Sequence, residues 1–207
     1  ESAVDEVSKW LEEMITAASE AAKVGAGGDD KIGDSANNGA VADAGSVKGI
    51  AKGIKGIVDA AGKAFGKEGD ALKDVAKVAD ENGDNKDAGK LFAGENGNAG
   101  GAADADIAKA AAAVTAVSGE QILKAIVEAA GAGDAANQAG KKADEAKNPI
   151  AAAIGTDDAG AAFGQDDMKK RNDNIAAAIV LRGVAKGGKF AVANAANDSK
   201  ASVKSAV

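Results

Sequence analysis

The chain has no histidine, no cysteine and no tyrosine among its 207 residues. Zinc sites of the usual kind draw on Cys and His, so none can be built. Ser-His-Asp and Cys-His nucleophile systems are excluded for the same reason. Disulfides are impossible, so the lack of cysteine fixes no redox compartment. Rings are nearly as scarce: aromatics make up 2% of the chain, four Phe and Trp10. A core with so few rings is expected to rely on close helix approach over Ala and Gly, with Val, Ile and Leu as knobs. Such a core should be thin and of modest stability. No apolar run approaches the roughly 20 residues of a membrane span, and no signal peptide is recognisable. The formal charge of −7 and pI of about 4.8 oppose the basic field that general nucleic-acid binding requires, so no nucleic-acid partner is expected.

Alanine is the commonest residue, and there are 28 glycines but one proline, Pro149. Alanine is the best helix former and glycine among the worst, which points to helices separated by Gly-rich loops. The length suits one medium domain. We expect a single all-α domain over residues 1–207, an irregular multi-helix bundle with Gly/Asn/Asp-rich loops and little or no β-strand.

Residues 2–24 read as an amphipathic helix in which Val4, Val7, Leu11, Met14 and Ala18 form a short coiled-coil-like seam. Glycines at 25, 27 and 28 end it, and the stretch to 45 reads as loop. Over 46–66 a helix sets Ile50, Ile54, Ile57, Val58 and Phe65 opposite Lys48, Lys52 and Lys55. Gly49, Gly53 and Gly56 form a small-residue stripe between those faces. Such a stripe permits close contact with a neighbouring helix, at a cost in helicity of about 1 kcal/mol per Gly. Leu72, Val75, Ala76 and Ala79 suggest a further helix, followed by the loop ENGDN. Helices follow at 104–117 and 119–130, the second opened by the capping box of Ser118 and Gln121. Residues 131–147 read as weak helix or loop. Asn148 and Pro149 read as cap and first-turn proline of a short helix over 150–154. After a loop over 155–167 comes an apolar helix at 172–186, in whose middle Arg182 is the single charge. A helix apolar all round belongs inside a protein. Gly187 and Gly188 break it, Phe190 to Val192 read as a short extended piece, and 199–207 as the start of another helix. Ser2-Ala3-Val4 recurs as Ser205-Ala206-Val207, as a unit bounded by short direct repeats would leave.

Candidate chemistry is thin. Residues 183–189 (GVAKGGK) match the first part of a phosphate loop, but Phe190 stands where Ser or Thr should ligate magnesium, and a Gly-rich helix stop explains the run better. Lys48, Lys52 and Lys55 could bind an anionic partner such as a glycosaminoglycan; a solvated helix face explains them as well. Lys169, Lys170 and Arg171 adjoin Asp166 and Asp167, which nearly cancel their field. The acidic pairs at 29–30, 157–158 and 166–167 lack the spacing of an EF-hand loop. No cofactor or metal is expected, and no catalytic residue. A hydrolase built on carboxylates would need a pocket with two buried acids.

The segment 163–192 (FGQDDMKKRNDNIAAAIVLRGVAKGGKFAV) closely resembles the sixth invariable region of the variable major protein-like (Vls) surface lipoproteins of Lyme disease Borrelia, of the variable large protein family. KGIAKGIKGIV at 48–58, GKLF at 89–92, VSGEQILKAIVEAA at 117–130 and NPIAAAIG at 148–155 resemble framework stretches of the same lipoproteins, in the same order. The chain is similar to the central cassette of such a protein, without constant arms or a lipidated N-terminus. The resemblance implies an outer-surface lipoprotein of the outer membrane, whose loops are rewritten by gene conversion for antigenic variation and immune evasion. It places variable regions at 25–45, 81–88, 93–103 and 131–147. It also implies an immunodominant invariable segment that includes Met168, Lys169, Lys170, Ile175, Ile179, Val180, Leu181, Arg182, Lys189 and Phe190. The apolar middle of that segment is expected to be buried. The partners expected are host antibodies and a second copy in a homodimer, with membrane attachment only through a lipid anchor absent from this chain. The alternative is an adhesin that binds a host polyanion or matrix ligand through the Lys48 face.

Overall fold

A computed structural model describes residues 3–25, 31–64, 66, 70–96, 101–132 and 138–193. The expected helix start over 199–207, the terminal Ser-Ala-Val repeat, Phe65 and the acidic pair at 29–30 lie outside these residues. The architecture is all-α, with two very short strands. Helix α1 (Ala3–Val24) lies against α2 (Ala44–Ala64). After a 3-10 helix at Lys86–Phe92 come α3 (Asp104–Thr115), α4 (Gly119–Gly131), α5 (Pro149–Ile154), α6 (Asp166–Lys169) and α7 (Asn172–Val184). Strands β1 (Ser35–Ala36) and β2 (Phe190–Ala191) pair in parallel.

Local signals explain the starts of α4 and α5. Gln121 N–H donates to Ser118 Oγ at 3.2 Å and Ser118 N–H to Gln121 Oε1 at 3.0 Å, which completes the capping box of α4. Ala151 N–H donates to Asn148 Oδ1 at 2.9 Å, and Pro149 occupies the first turn, where a missing N–H costs nothing.

The glycine stripe of α2 meets α1 at its small residues. A Cβ added at Gly49 would lie 2.6 Å from Val24 Cγ2, and one at Gly56 would lie 2.9 Å from Ala17 Cβ. One at Gly53 would collide with Ala21. The seam expected on α1 is therefore misplaced. The inward face is Trp10, Met14, Ala17, Ala21 and Val24, all half-buried, whereas Val4, Val7, Leu11 and Ala18 point to solvent. Leu11 is 53% and Ile15 65% exposed. Where the glycine stripe crosses, α1 offers Ala17 and Ala21, because only small residues there let the two backbones come close enough to gain dispersion.

The helix expected around Leu72 and Val75 is also absent: residues 70–75 form turns and the next stretch is irregular. The carbonyls of Leu72 and Val75 accept from Lys124 Nζ at 3.3 and 2.8 Å, and that of Ala76 from Gln121 Nε2 at 3.2 Å. Side chains of α4 thus take the carbonyls that a helix would have used internally.

The core has two clusters that meet on α7. One surrounds Phe92, Phe163 and Phe190 with Ile107, Met168, Ile175 and Ile179. The other gathers Val47, Ile50, Ile126, Ile150, Ile154 and Leu181. Phe92 stands 5.6 Å from Phe163 and 5.9 Å from Phe190 between ring centroids, in tilted and edge-to-face arrangements. Three of the five rings thus meet at the centre of the core.

Candidate functional site

The segment that the resemblance marks as immunodominant divides sharply between interior and surface. Met168, Ile175, Ile179, Leu181, Arg182 and Phe190 are buried, and Val180 is half-buried. Lys189 is exposed, and Lys169 at the end of α6 and Lys170 just beyond it are partly exposed. Both lysines reach Asp166, at 2.8 Å each, and their hydrogen bonds hold its carboxyl at about 2. Arg171 pairs with Asp173 at 2.5 Å in a largely buried contact, and that hydrogen bond raises the arginine further. The expected charge cluster is therefore a set of local ion pairs that finish α6 and start α7.

Arg182 was singled out in the sequence as the lone charge of an apolar helix and as part of the invariable segment, but not for the role it has here. It is fully buried, and no carboxylate faces it among its hydrogen-bond partners. Nε donates to Lys189 O at 3.2 Å, Nη1 to Ala153 O and Ile154 O at 3.1 and 3.3 Å, and Nη2 to Ala40 O, Ala93 O and Lys189 O. The Phe92 ring lies 5.5 Å away. Burial pushes the guanidinium down to about 9, which still leaves it protonated at neutral pH. The only signal in the sequence was a charge at the centre of an apolar run.

The connecting loops divide into roots and tips. Ser35, Gly39 and Ala42 are buried in the 25–45 region; Gly83, Asn85 and Ala88 in 81–88; Ala93, Gly94 and Ala102 in 93–103; and Ala143 and Ala146 in 131–147. Exposed tips alternate with them: Asn38 and Val41, Glu81 and Asp84, Glu95 and Asn96, Lys141 and Glu145. The buried positions are mostly Ala and Gly, so a root enters the interior mainly as backbone. Its main-chain groups must then find partners, and they do. Ala42 N–H donates to Ile154 O, Gly94 N–H to Asp158 O and Ala102 N–H to Ala191 O, at 2.9–3.1 Å.

Lys48, Lys52 and Lys55 do not form a clear cationic face. Lys55 pairs with Asp59 at 2.5 Å, and Lys52 borders a groove of about 530 Å³ between α1 and α2. Glu12, Glu13, Glu20 and Asp59 share its walls, and Lys63 crosses to Glu13 at 2.9 Å. Among the described residues the two buried carboxylates are each occupied: Asp106 accepts from Lys90 at 2.9 Å and from Ala103 N–H, and Asp173 is held by Arg171. Residues 183–189 run from the end of α7 into a turn rather than between a strand and a helix. Among the described residues no cluster of acids could hold a metal ion, and no single helix is long and apolar enough to cross a membrane.

A sequence model of the Borrelia lipoprotein family matches residues 1–207. The chain belongs to that family. Variable large protein 4 of Borrelia hermsii is 38% identical over 207 residues, covering 95% of this chain and 55% of the relative. Variable large protein 25 of the same organism is 39% identical over 184 residues, 88% of this chain and 48% of the relative. The fold matches the crystal structure of the Lyme disease variable surface antigen VlsE of Borrelia burgdorferi. That match has a TM-score of 0.84 at 49% identity, over 98% of this chain and 66% of that one. The chain thus spans about half the length of the variable large proteins it matches. Its relatives are variable large proteins and a variable surface antigen, and it shares the fold of the latter.

Proposed function

We propose that this chain is the display region of an outer-surface lipoprotein that varies its antigenic face to evade host antibodies. The observation that carries this reading is the contrast between α7, ten of whose thirteen residues are buried, and the exposed tips of the loops around it. Loop tips tolerate substitution because little of the fold depends on their side chains. Polar replacement at Ile175 or Leu181 would leave an unsatisfied group in the core. Antibodies that meet the intact molecule find the tips, and the framework stays out of reach. Attachment to the outer membrane is then the work of a lipid on the full-length protein.

The test is an exchange of tips. Asn38, Val41, Glu95 and Lys141 are replaced together by residues of different size and charge. Antibodies are raised against the intact, unaltered protein. Their binding to the variant should fall severalfold while its helical circular dichroism is unchanged. Unaltered binding to a folded variant would end the proposal. The expected self-association would act through the exposed stripe Val4, Val7, Leu11 and Ile15; sedimentation of a Leu11→Glu variant beside the unaltered chain decides it. A compact monomer in both would refute it.

A further inference from the structure

We propose that Arg182 is a positioning residue for the display loops, holding their buried roots by main-chain carbonyls alone so that the tips can change without moving the roots. This rests on the display reading above and adds to it the device that makes variation tolerable.

The geometry is specific. A guanidinium offers five N–H donors in a planar fork. Here they reach carbonyls on four separate segments: Ala40 in the 25–45 connection, Ala93 at the start of the 93–103 connection, Ala153 and Ile154 in the last turn of α5, and Lys189 before β2. The α5 carbonyls are among those a helix end leaves without internal partners. Every acceptor is a backbone oxygen, present whatever residue occupies the position. An anchor built on an Asp or Glu in a loop would be lost as soon as that residue changed. Room for the fork is reserved by Gly155, whose φ of 72° is costly for other residues and where a Cβ would stand 2.7 Å from Arg182 Nη1.

The residues that follow extend the same principle. Phe190 N–H donates to Asp34 O at 2.9 Å, Val192 N–H to Ala36 O at 2.8 Å, and Ala193 N–H to Ala102 O at 2.9 Å. In return Ala40 N–H donates to Lys189 O at 3.2 Å, Asp43 N–H to Lys186 O at 2.9 Å and Gly33 N–H to Gly183 O at 2.9 Å. A short C-terminal stretch therefore clasps both connections by main-chain bonds, with Arg182 at its closed end. Lysine cannot replace the fork, because its three donors diverge from one nitrogen and span fewer segments.

Amide hydrogen exchange on Arg182→Lys tests this, with the full chain. Ala40, Ala42 and Gly94, on or beside the two segments whose Ala40 and Ala93 carbonyls lose their donor, should exchange roughly ten- to a hundredfold faster, while Ala125 to Ala129 inside α4 change little. A general acceleration that includes α4 would make Arg182 an ordinary core residue and overturn the proposal, as would no acceleration at the roots. If Arg182→Lys does not fold, Gly155→Ala leaves the charge in place and displaces Nη1, and the same local pattern is expected. A third arm needs no change at the site. The only other arginine is Arg171, so the Nε–H resonance of Arg182 can be assigned with Arg171→Lys. It should be protected, and unmoved when Asn38, Val41 and Glu95 are exchanged. A shift of that resonance, or an unprotected one, refutes the proposal. Exchange rates report anchoring without antibodies, so failure here is distinct from failure of the display reading.

Discussion

The burial of α7 makes a quantitative prediction about recognition. Antibodies are raised against the free peptide 168–192 and selected for dependence on Ile175, Ile179 and Leu181. They are then offered intact or unfolded protein in solution competition. These three side chains are at most 1% exposed. They feed both halves of the core, Ile175 and Ile179 into the phenylalanine cluster and Leu181 into the other. No local fraying can therefore present them, because withdrawing α7 removes the wall that the clusters share. The antibody must wait for global opening, which in a small domain costs about 5–15 kcal/mol. At the lower end, suited to so alanine-rich a core, apparent affinity for the intact form falls by roughly 4,000-fold. Urea-unfolded protein should compete like the peptide, and intact protein only at concentrations about a thousandfold higher or more. Antibodies that depend instead on Lys186 and Lys189 should bind both forms, because these residues are exposed. Equal competition by folded and unfolded protein for the α7-dependent antibodies would refute the reasoning.

Gly53→Ala gains about 1 kcal/mol of helix propensity but loses about 1–3 kcal/mol to overpacking against Ala21 and Ala17. Amide exchange should show α1 loosened and α7 unchanged, and a stabilised α1 would contradict the close packing. Asp166 should titrate near 2 by NMR, and Lys170→Ala should bring it toward 3.8. Because its folded value is lowered, its contribution is present above the unfolded value of 3.8 and is lost as pH falls through about 2; a midpoint near 3.8 in the unaltered protein would show the ion pairs to be absent in solution. An immobilised polyanion should not retain the chain, given the acids around Lys52, whereas salt-sensitive retention abolished by Lys52→Glu would favour the adhesin. Gly94→Ala should lower stability by about 1–3 kcal/mol, since the added methyl would lie 2.5 Å from Thr156 O and against the backbone of Asp157; a neutral effect in thermal unfolding would show that this root can shift.

How far the sequence revealed the fold depended on whether a signal was local. The caps at Ser118 and Asn148 need only neighbours three residues away, and both were legible. The glycine stripe of α2 was legible because its spacing admits one use. The inward face of α1 was not, because size alone suggested Val4, Val7 and Leu11, while the choice was made by the glycines of another helix. The stretch at 70–80 misled in the same way: its pattern suits a helix, but Lys124 and Gln121, far along the chain, claim its carbonyls. At the site, the burial of Ile175 and Leu181 followed from composition. The role of Arg182 did not, since its partners are carbonyls, which every residue has and no sequence advertises.

Apart from Asn85, whose Nδ2 donates to Asn172 Oδ1 at 3.0 Å, the roots of the loops are held mainly by main-chain carbonyls and amides, so most side chains are compatible with the bonds themselves. What limits variation at a root is space. Gly39 lies against Ala93 O with Lys189 O at 3.0 Å from where a Cβ would stand, and Gly140 lies against Gly155 with Ile154 Cγ2 at 2.6 Å. With Gly94, these positions fall in three separate regions that the resemblance marks as variable, yet each faces backbone that cannot give way. Variation in this molecule is therefore bounded by sterics at the root and by little more than solubility at the tip. A loop can exchange its exposed residues freely only while its few close-packed glycines are kept.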